Sequence, residues 1–156
     1  MGKKLALGDK APDFALPDDA GGKVSLASFA GKKLVLYFYP KDDTSGCTKE
    51  AIDFNGLKAE FEKAGAAILG ASPDSAASHA KFKAKHNLDL SLASDESKAM
   101  VEAYGVWVEK SMYGRKYFGV ERTTFLIGPD GKIAKIWSKV KVPGHAAAVL
   151  AEVKAL

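Results

Sequence analysis

Apolar positions along this chain occur in two patterns, unbroken runs and residues at helical spacing. The runs Lys33–Tyr39 and Ala66–Ser72 are bounded by turn residues and predict two buried strands. Between them the spacing predicts a helix over Cys47–Ala64, with Gly65 as its C-terminal cap. The apolar positions of this helix are Ala51, Phe54, Leu57, Phe61 and Ala64.

The rest of the pattern predicts shorter elements on either side of this unit. Asn87 marks the end of one helix, and Lys110–Tyr117 has the composition of a loop. The predicted elements are a hairpin of Phe14–Pro17 with Lys23–Leu26, a helical turn at Ser28–Gly31, helices Ala76–His86 and Glu96–Tyr104, an extended piece Leu90–Ala93, strands Thr123–Ile127 and Lys132–Trp137, and a last helix after Gly144.

The order of these elements predicts an α/β fold. Strand, helix and strand in succession imply a parallel crossover, and the later hairpin adds antiparallel strands to the same sheet. We therefore expect a thioredoxin-like fold, with a mixed central sheet flanked by helices and an N-terminal β-hairpin. A chain of 156 residues has the size of one domain, so we assign residues 1–156 to a single domain.

Charge and hydropathy exclude several classes of partner. The net charge is +4, but the lysines are interleaved with Asp and Glu along the chain and only two arginines are present. A nucleic-acid interface clusters its cations with aromatic residues, so we expect no nucleic-acid partner. No apolar run approaches the roughly 20 residues of a membrane helix, and the basic start of the chain does not match a secretory signal.

Cys47 is the only cysteine of the chain. One thiol excludes an intramolecular disulfide, a C-x-x-C redox pair and a cysteine-rich zinc site, and it suits a reducing, cytoplasmic compartment. The histidines at 79, 86 and 145 lack metal-binding spacing, so we expect no metal. We expect His79 and His86 to lie at the surface or at a helix end.

The position of Cys47 favours a reactive thiolate over a buried structural thiol. Pro40 ends the first buried strand, a polar turn follows, and Cys47 comes in the first turn of the next helix. An ordinary thiol, with a pKa of about 8.5, is only roughly 3% ionised at pH 7. Making such a thiol mostly ionised takes about 3.4 kcal/mol, whereas a helix N-terminus contributes about 0.3–2 kcal/mol. A second positive group must therefore lie close to the sulfur.

The residues around Cys47 resemble those of the peroxiredoxins. Pro40, Thr44 and Cys47 have the spacing P-x-x-x-T-x-x-C, and an arginine segment around Arg122 follows in the order typical of that family. The similarity covers essentially the whole chain and is closest to the PrxQ branch, also called bacterioferritin comigratory protein. Further matching segments are Gly8–Phe14, Lys49–Ala51 with Phe54, Ser78–Phe82 and Gly119–Ile127.

This resemblance implies a thiol-dependent peroxidase that reduces hydrogen peroxide and alkyl hydroperoxides. It implies that Cys47 is the peroxidatic thiolate, that Thr44 hydrogen-bonds the peroxide and the sulfur, and that Pro40 keeps water away. Arg122 is then the second positive group, and the backbone N–H groups of Gly46 and Cys47 bind the peroxide. No cofactor is implied, because the sulfur itself carries the electrons.

The chain departs from its branch in how the oxidised sulfur is reduced. Many members carry a second, resolving cysteine at the position of Ile52, or in the next helix, and this chain has neither. We therefore expect a one-cysteine mechanism with an external thiol reductant, thioredoxin or glutathione with glutaredoxin. The family usually has proline at Ser45, which makes this loop less rigid here. We expect a monomer. The alternative is a dimer formed through the edge that faces the site.

The same residues also allow structural, non-catalytic interpretations. Arg122 could pair with Glu121 or Glu109 at the surface, and a contact with Glu50 would have a minor role. Arg115 lies in the predicted loop and is either a surface residue or part of the peroxide entrance. A second function also fits the thiol: a redox sensor or chaperone-like module that uses Cys47 without efficient turnover.

Overall fold

The computed structural model describes residues 4–156 and contains three sheets. Residues 1–3, where the sequence prediction about a secretory signal begins, lie outside the described range. The strands are β1 Ala15–Pro17, β2 Lys23–Ser25, β3 Lys33–Phe38, β4 Ala66–Ser72, β5 Ser91–Ser94, β6 Trp107–Met112, β7 Arg115–Val120, β8 Thr123–Ile127 and β9 Ile133–Trp137. The helices are α1 Ser45–Lys63, α2 Ala76–His86, α3 Ala99–Ala103 and α4 His145–Ala155, with a 3₁₀ turn at Leu26–Phe29.

The central sheet has the strand order β5-β4-β3-β8-β9. Strand β3 pairs with β4 in parallel and with β8 in antiparallel fashion, and β4 pairs with β5 in parallel. The mixed sheet, the flanking helices and the separate β1–β2 hairpin confirm the predicted fold class. The helix between β3 and β4 starts at the carboxyl end of β3, where α/β sheets place their ligands.

Alternation along β3 divides the core into two layers. Val35 and Tyr37 face the layer that contains α1, α2 and α4, whereas Leu36 and Phe38 face the layer that contains α3. Successive side chains of a strand point to opposite faces of the sheet, so a strand buried on both sides reads as an unbroken apolar run. This is why β3 was predictable from its sequence.

Helix α1 begins two residues before the predicted start. Thr44 is extended, with φ −90° and ψ 156°, and its carbonyl oxygen accepts the N–H of Thr48 at 2.8 Å. Asp43 has φ 61°, which turns the chain sharply into the helix. Cys47 therefore lies in the first turn, as predicted, and the N–H groups of that turn have no acceptor within the helix.

The predicted loop over Lys110–Tyr117 is wrong, because β6 and β7 form an antiparallel hairpin there. Tyr113 and Gly114 make its two-residue turn, with φ 53° and φ 78°. Two consecutive positive φ values are typical of the turn that matches strand twist. Much of the hairpin is exposed on both faces, so it lacks the apolar alternation by which a half-buried strand is detected.

The third helix is shorter than predicted. It covers Ala99–Ala103 because Lys98 is left-handed, with φ 67°, and interrupts the helical path from residue 96. The Asp95 carboxylate accepts the N–H groups of Met100 and Val101 at 3.3 and 2.8 Å, which satisfies the first turn of the shorter helix.

No helix within residues 4–156 combines the length and the apolar character that a bilayer crossing requires.

Candidate active site

The Cys47 side chain lies between the start of α1 and the sheet and is only 2% exposed. It packs in the apolar layer that includes Tyr37, Ala51 and Phe54. Burial alone would favour the neutral thiol, because low dielectric penalises a charge. A reactive sulfur at this depth therefore needs a cation in direct contact.

Arg122 supplies that contact. It lies in the two-residue link between β7 and β8, and its Nη2 donates to Cys47 Sγ at 3.3 Å. Its Nη1 donates to Glu50 Oε1 at 2.7 Å, so the surface pairings with Glu121 or Glu109 do not form. Burial opposes the charge, but Glu50 and Cys47 together raise the pKa of Arg122 and keep the guanidinium ionised.

Glu50 is buried more deeply than its sequence position indicated. The residue is 1% exposed, and its second carboxylate oxygen, Oε2, has no hydrogen-bond partner among the described residues. Burial raises the pKa of Glu50 to about 7, and the contact with Arg122 only partly opposes this shift. The carboxyl group therefore changes its protonation near neutral pH, next to the guanidinium that contacts the sulfur.

Gly46 makes room for the guanidinium. A Cβ atom at this position would lie 3.2 Å from Arg122 Nη2. Any side chain would thus push against the group that contacts Cys47. The glycine permits the close approach of the arginine to the helix N-terminus.

Pro40 and Thr44 lie in the segment between β3 and α1 and flank the same helix start. Pro40 is half-buried two residues after β3 ends, and Thr44 is the N-cap residue of α1. The Thr44 hydroxyl donates to the carbonyl oxygen of Lys41 at 3.0 Å, whereas the family resemblance implied a hydrogen bond to the Cys47 sulfur. With its proton so used, the hydroxyl oxygen retains lone pairs that can accept a hydrogen bond.

A second buried cluster holds the same segment from the other side. Asp42 Oδ2 lies 2.7 Å from His79 Nδ1 and accepts the Ser78 hydroxyl at 2.8 Å, while Asp42 Oδ1 accepts the Tyr39 hydroxyl at 2.6 Å. The backbone N–H of Asp42 donates to Asp74 Oδ2 at 2.8 Å. The cluster ties the segment before Cys47 to the N-terminal part of α2.

His79 was predicted to lie at the surface or at a helix end, and this is wrong. The residue is completely buried, and its Nε2 lies 3.0 Å from the carbonyl oxygen of Ala93. His86 does lie at the end of α2, with Nε2 2.8 Å from Asp43 Oδ1. The helical repeat places the two histidines on similar faces, but only the nearby Asp42 gives the first one a buried partner.

Asp42, Asp74 and His79 also have the spacing of a metal site, with one ligand atom from each within 4.8 Å of the others. Within residues 4–156 these atoms already hydrogen-bond one another and the neighbouring hydroxyl groups. A cation would have to displace those bonds, so we assign this group a structural role.

Two further residues near Arg122 were not singled out by the sequence. His145 Nε2 lies 2.8 Å from Thr124 Oγ1, and burial, with a smaller effect of the Arg122 charge, lowers the pKa of His145 to about 4. Lys110 donates to the carbonyl oxygen of Val120. Burial and the Arg122 charge lower the pKa of Lys110, and the Cys47 sulfur opposes this shift. Neither residue has a local sequence signal, because each contacts an element distant from it in the chain or across a hairpin.

Comparison with known proteins assigns this chain to a family. The model of the AhpC/TSA family matches residues 7–136. A putative peroxiredoxin Bcp from Coxiella burnetii is 51% identical over 94% of this chain and 97% of its own length. Peroxiredoxin Bcp from Bacillus subtilis is 47% identical over 96% of both chains. The chain belongs to the AhpC/TSA family, in its Bcp/PrxQ peroxiredoxin branch.

Solved structures agree with this assignment. Peroxiredoxin Q from Xanthomonas campestris superposes with a TM-score of 0.87 at 51% identity, covering 91% of this chain and 90% of its own. PrxQ from Xylella fastidiosa gives a TM-score of 0.93 at 40% identity, covering 99% and 98%. The protein is thus a thiol-dependent peroxidase with a thioredoxin-like fold, and this peroxiredoxin contains a single cysteine.

Proposed function

We propose that Cys47 is the peroxidatic thiol of this peroxiredoxin and that it reduces hydrogen peroxide and alkyl hydroperoxides. The observation that carries the proposal is the 3.3 Å contact between Arg122 Nη2 and Cys47 Sγ at the start of a helix. A cation and a helix N-terminus at one sulfur both favour the thiolate. A crystallised bacterioferritin comigratory protein from Xanthomonas campestris is described as having alkyl peroxide reduction activity, which supports this substrate class.

The first chemical step transfers one oxygen atom to the sulfur. The thiolate attacks the distal oxygen of the hydroperoxide, an S–O bond forms, and the O–O bond breaks. The leaving alkoxide or hydroxide takes up a proton to give alcohol or water, and Cys47 becomes a sulfenic acid. Negative charge moves from sulfur to the leaving oxygen, and Arg122 lies where fixed donors stabilise that charge most.

The neighbouring residues receive supporting roles. The Thr44 oxygen accepts a hydrogen bond from the peroxide O–H, since its own O–H donates to the carbonyl oxygen of Lys41. The first-turn N–H groups of Gly46 and Cys47 donate to the peroxide oxygens. Pro40 covers the site against water.

The second half of the cycle needs an external thiol, because the chain has no second cysteine. A thiolate of the reductant attacks the sulfenic sulfur, water leaves, and a mixed disulfide forms. A second thiol then attacks the reductant's sulfur in the mixed disulfide, so that the reductant becomes a disulfide and Cys47 leaves in its reduced form. Thioredoxin or glutathione with glutaredoxin fits this requirement. We further propose that the chain works as one domain, residues 1–156, as a cytoplasmic monomer.

Counting peroxide equivalents tests the proposal. With excess dithiothreitol, the wild type should consume many equivalents of hydrogen peroxide per protein, and Cys47→Ser should consume none. Consumption that stops at about one equivalent would indicate a redox sensor instead. Unchanged consumption by Cys47→Ser would refute the assignment of the thiol. A sulfenic acid trapped at Cys47 by dimedone and located by mass spectrometry should appear after one equivalent.

A further inference from the structure

The β6–β7 hairpin is an exposed apolar surface that the peroxidase mechanism does not use. Among the described residues it forms a sheet of its own and pairs with no strand of the central sheet. Its tip residue, Tyr113, is 98% exposed. Three more large apolar side chains are exposed on the same hairpin, which makes it the main concentration of such residues between positions 4 and 156: Met112, Tyr117 and Phe118.

The charges on this hairpin have one predominant sign. Lys110, Arg115 and Lys116 are cationic, and Glu109 is the one acidic residue between Trp107 and Val120. The single ion pair, from Lys116 to Glu109, is long at 3.9 Å and exposed. Two copies of the hairpin packed face to face would bring like charges together. The surface therefore suits an acidic partner rather than a second copy of this chain.

The link that leaves the hairpin carries the arginine that contacts the sulfur. Strand β7 ends two residues before Arg122, whose Nη2 contacts Cys47 Sγ. Lys110, on β6, donates to the Val120 carbonyl oxygen, and its pKa responds to the charges of Arg122 and Cys47. A partner bound along this hairpin thus contacts a sheet whose base leads directly into the site.

The proposed cycle requires such a partner. The only cysteine is 2% exposed, and a sulfenic acid on it must be reduced by a thiol from another molecule. A protein reductant has to stay bound at the site while its thiolate attacks. An apolar, desolvated contact slows its dissociation and so provides the necessary residence time. This step depends on the proposed function of Cys47.

We propose that the β6–β7 hairpin is the docking surface for the protein thiol that reduces Cys47, a protein with acidic and apolar residues around its reactive cysteine. The aromatic side chains provide the apolar contact, and Arg115 and Lys116 provide the charge complementarity. An anionic membrane would also match a basic aromatic hairpin, but it would not explain why the hairpin leads directly into the arginine that contacts the sulfur.

The test measures kcat/KM for thioredoxin and for glutaredoxin with glutathione in a peroxidase assay coupled to NADPH. Arg115→Glu should lower kcat/KM for the more efficient protein reductant about tenfold, and Lys154→Glu, an exposed lysine near the end of α4, should not. Tyr113→Asn combined with Tyr117→Thr should cause a similar loss, and these residues suit the turn and the strand. With dithiothreitol every variant should stay within about twofold of wild type.

Several outcomes would overturn the docking surface. One is an equal effect of Arg115→Glu and Lys154→Glu on the protein reductants. Another is a wild type that thioredoxin and glutaredoxin reduce no faster per thiol than dithiothreitol does. Hairpin-dependent binding to vesicles of anionic phospholipid, or hairpin-dependent dimers in sedimentation, would assign the surface to another occupant. Absence of dithiothreitol-supported turnover in the wild type would instead be a failure of the proposed function.

Discussion

Asp42 and Glu50 are buried carboxylates on either side of the start of α1, and in both cases burial by itself acts to raise the pKa. For Asp42 the hydrogen bonds from His79, Tyr39 and Ser78 outweigh burial, and the pKa of its carboxyl falls below the ordinary value. For Glu50 one contact with Arg122 does not outweigh burial, and the pKa rises to about 7. The number of donors therefore decides whether a buried carboxylate is a permanent anion or one that titrates near pH 7.

This difference separates two tasks at one helix start. The cluster around Asp42 has a partner for each of its carboxylate oxygens and fixes the segment that leads to Cys47. The cluster around Arg122 leaves Glu50 Oε2 without a hydrogen-bond partner in the part of the chain that the structure describes, and it places the guanidinium on the sulfur. A fully satisfied network provides rigidity, and an incompletely satisfied one retains chemical reactivity.

Removing the cation should have the largest effect. Arg122→Met should slow the oxidation of Cys47 by hydrogen peroxide about 10²–10³-fold, because the transition state loses its main charge-stabilising donor. Stopped-flow tryptophan fluorescence measures the rate constant. Arg115→Met, which removes the other arginine, is the control and should oxidise at the wild-type rate. Equal rate constants for the two variants would show that the guanidinium at 122 does not serve the reaction.

Breaking the satisfied cluster should mainly reduce stability. Asp42→Asn removes the charged acceptor of the hydrogen bonds from Tyr39, Ser78 and His79 and should lower the free energy of unfolding by about 3 kcal/mol. Urea denaturation measures this change. Asp43→Asn, which removes an exposed partner of Lys85 and His86, is the matched control and should change little. If the two variants unfold at the same urea concentration, the Asp42 cluster does not stabilise the fold more than the exposed Asp43 pairs do.

Glu50 should make stability depend on pH in the opposite direction from an ordinary ion-paired carboxylate. Its pKa in the folded protein, about 7, lies above the ordinary 4.5, so the folded state binds the Glu50 proton more tightly than the unfolded state does. The stability that this proton contributes is complete below pH 4.5 and is lost as the pH rises through 7. Wild-type unfolding free energy should therefore fall relative to Glu50→Gln by about 3 kcal/mol over that range. Unfolding curves at pH 4.5, 6 and 8 measure the slope. Parallel pH profiles would contradict the raised pKa.

His145 should have an effect of the reverse sign. Its pKa in the folded protein, about 4, lies below the ordinary 6.5, so the folded state favours the neutral imidazole. The stability that the neutral side chain contributes is present above pH 6.5 and is lost as the pH falls through 4. Acidification should lower the melting temperature of the wild type more than that of His145→Gln, whose amide can still bond Thr124. Circular dichroism melts at pH 7 and pH 4.5 compare the two proteins. A histidine that is charged in the folded state would leave the two shifts equal.

Much of the fold was predictable because burial leaves a periodic pattern. Strands β3 and β4 and helices α1 and α2 follow the predicted ranges closely, since apolar spacing and capping residues mark them locally. The β6–β7 hairpin was missed because its exposed faces carry no such pattern. Its signal was the Tyr113–Gly114 pair between two runs that contain strand-forming residues, which is typical of a tight hairpin turn.

The candidate site was predictable only in part. Cys47 and Arg122 were paired by resemblance to a family, and the structure brings them into contact. The depth of Glu50 was not predictable, since its position early in α1 is equally compatible with a solvated side chain. The link between Asp42 and His79 joins residues far apart in the chain, and no local rule relates them.

The amino-acid order by itself determined the single thiol at a helix start, the core strands and the need for an outside reductant. These follow from local spacing and composition, which do not depend on long-range contacts. Only the tertiary structure decided which carboxylate is satisfied, where Arg122 points and which hairpin stays uncovered. Those properties depend on the number of donors and the amount of solvent around each group, and both are known only once distant segments pack together.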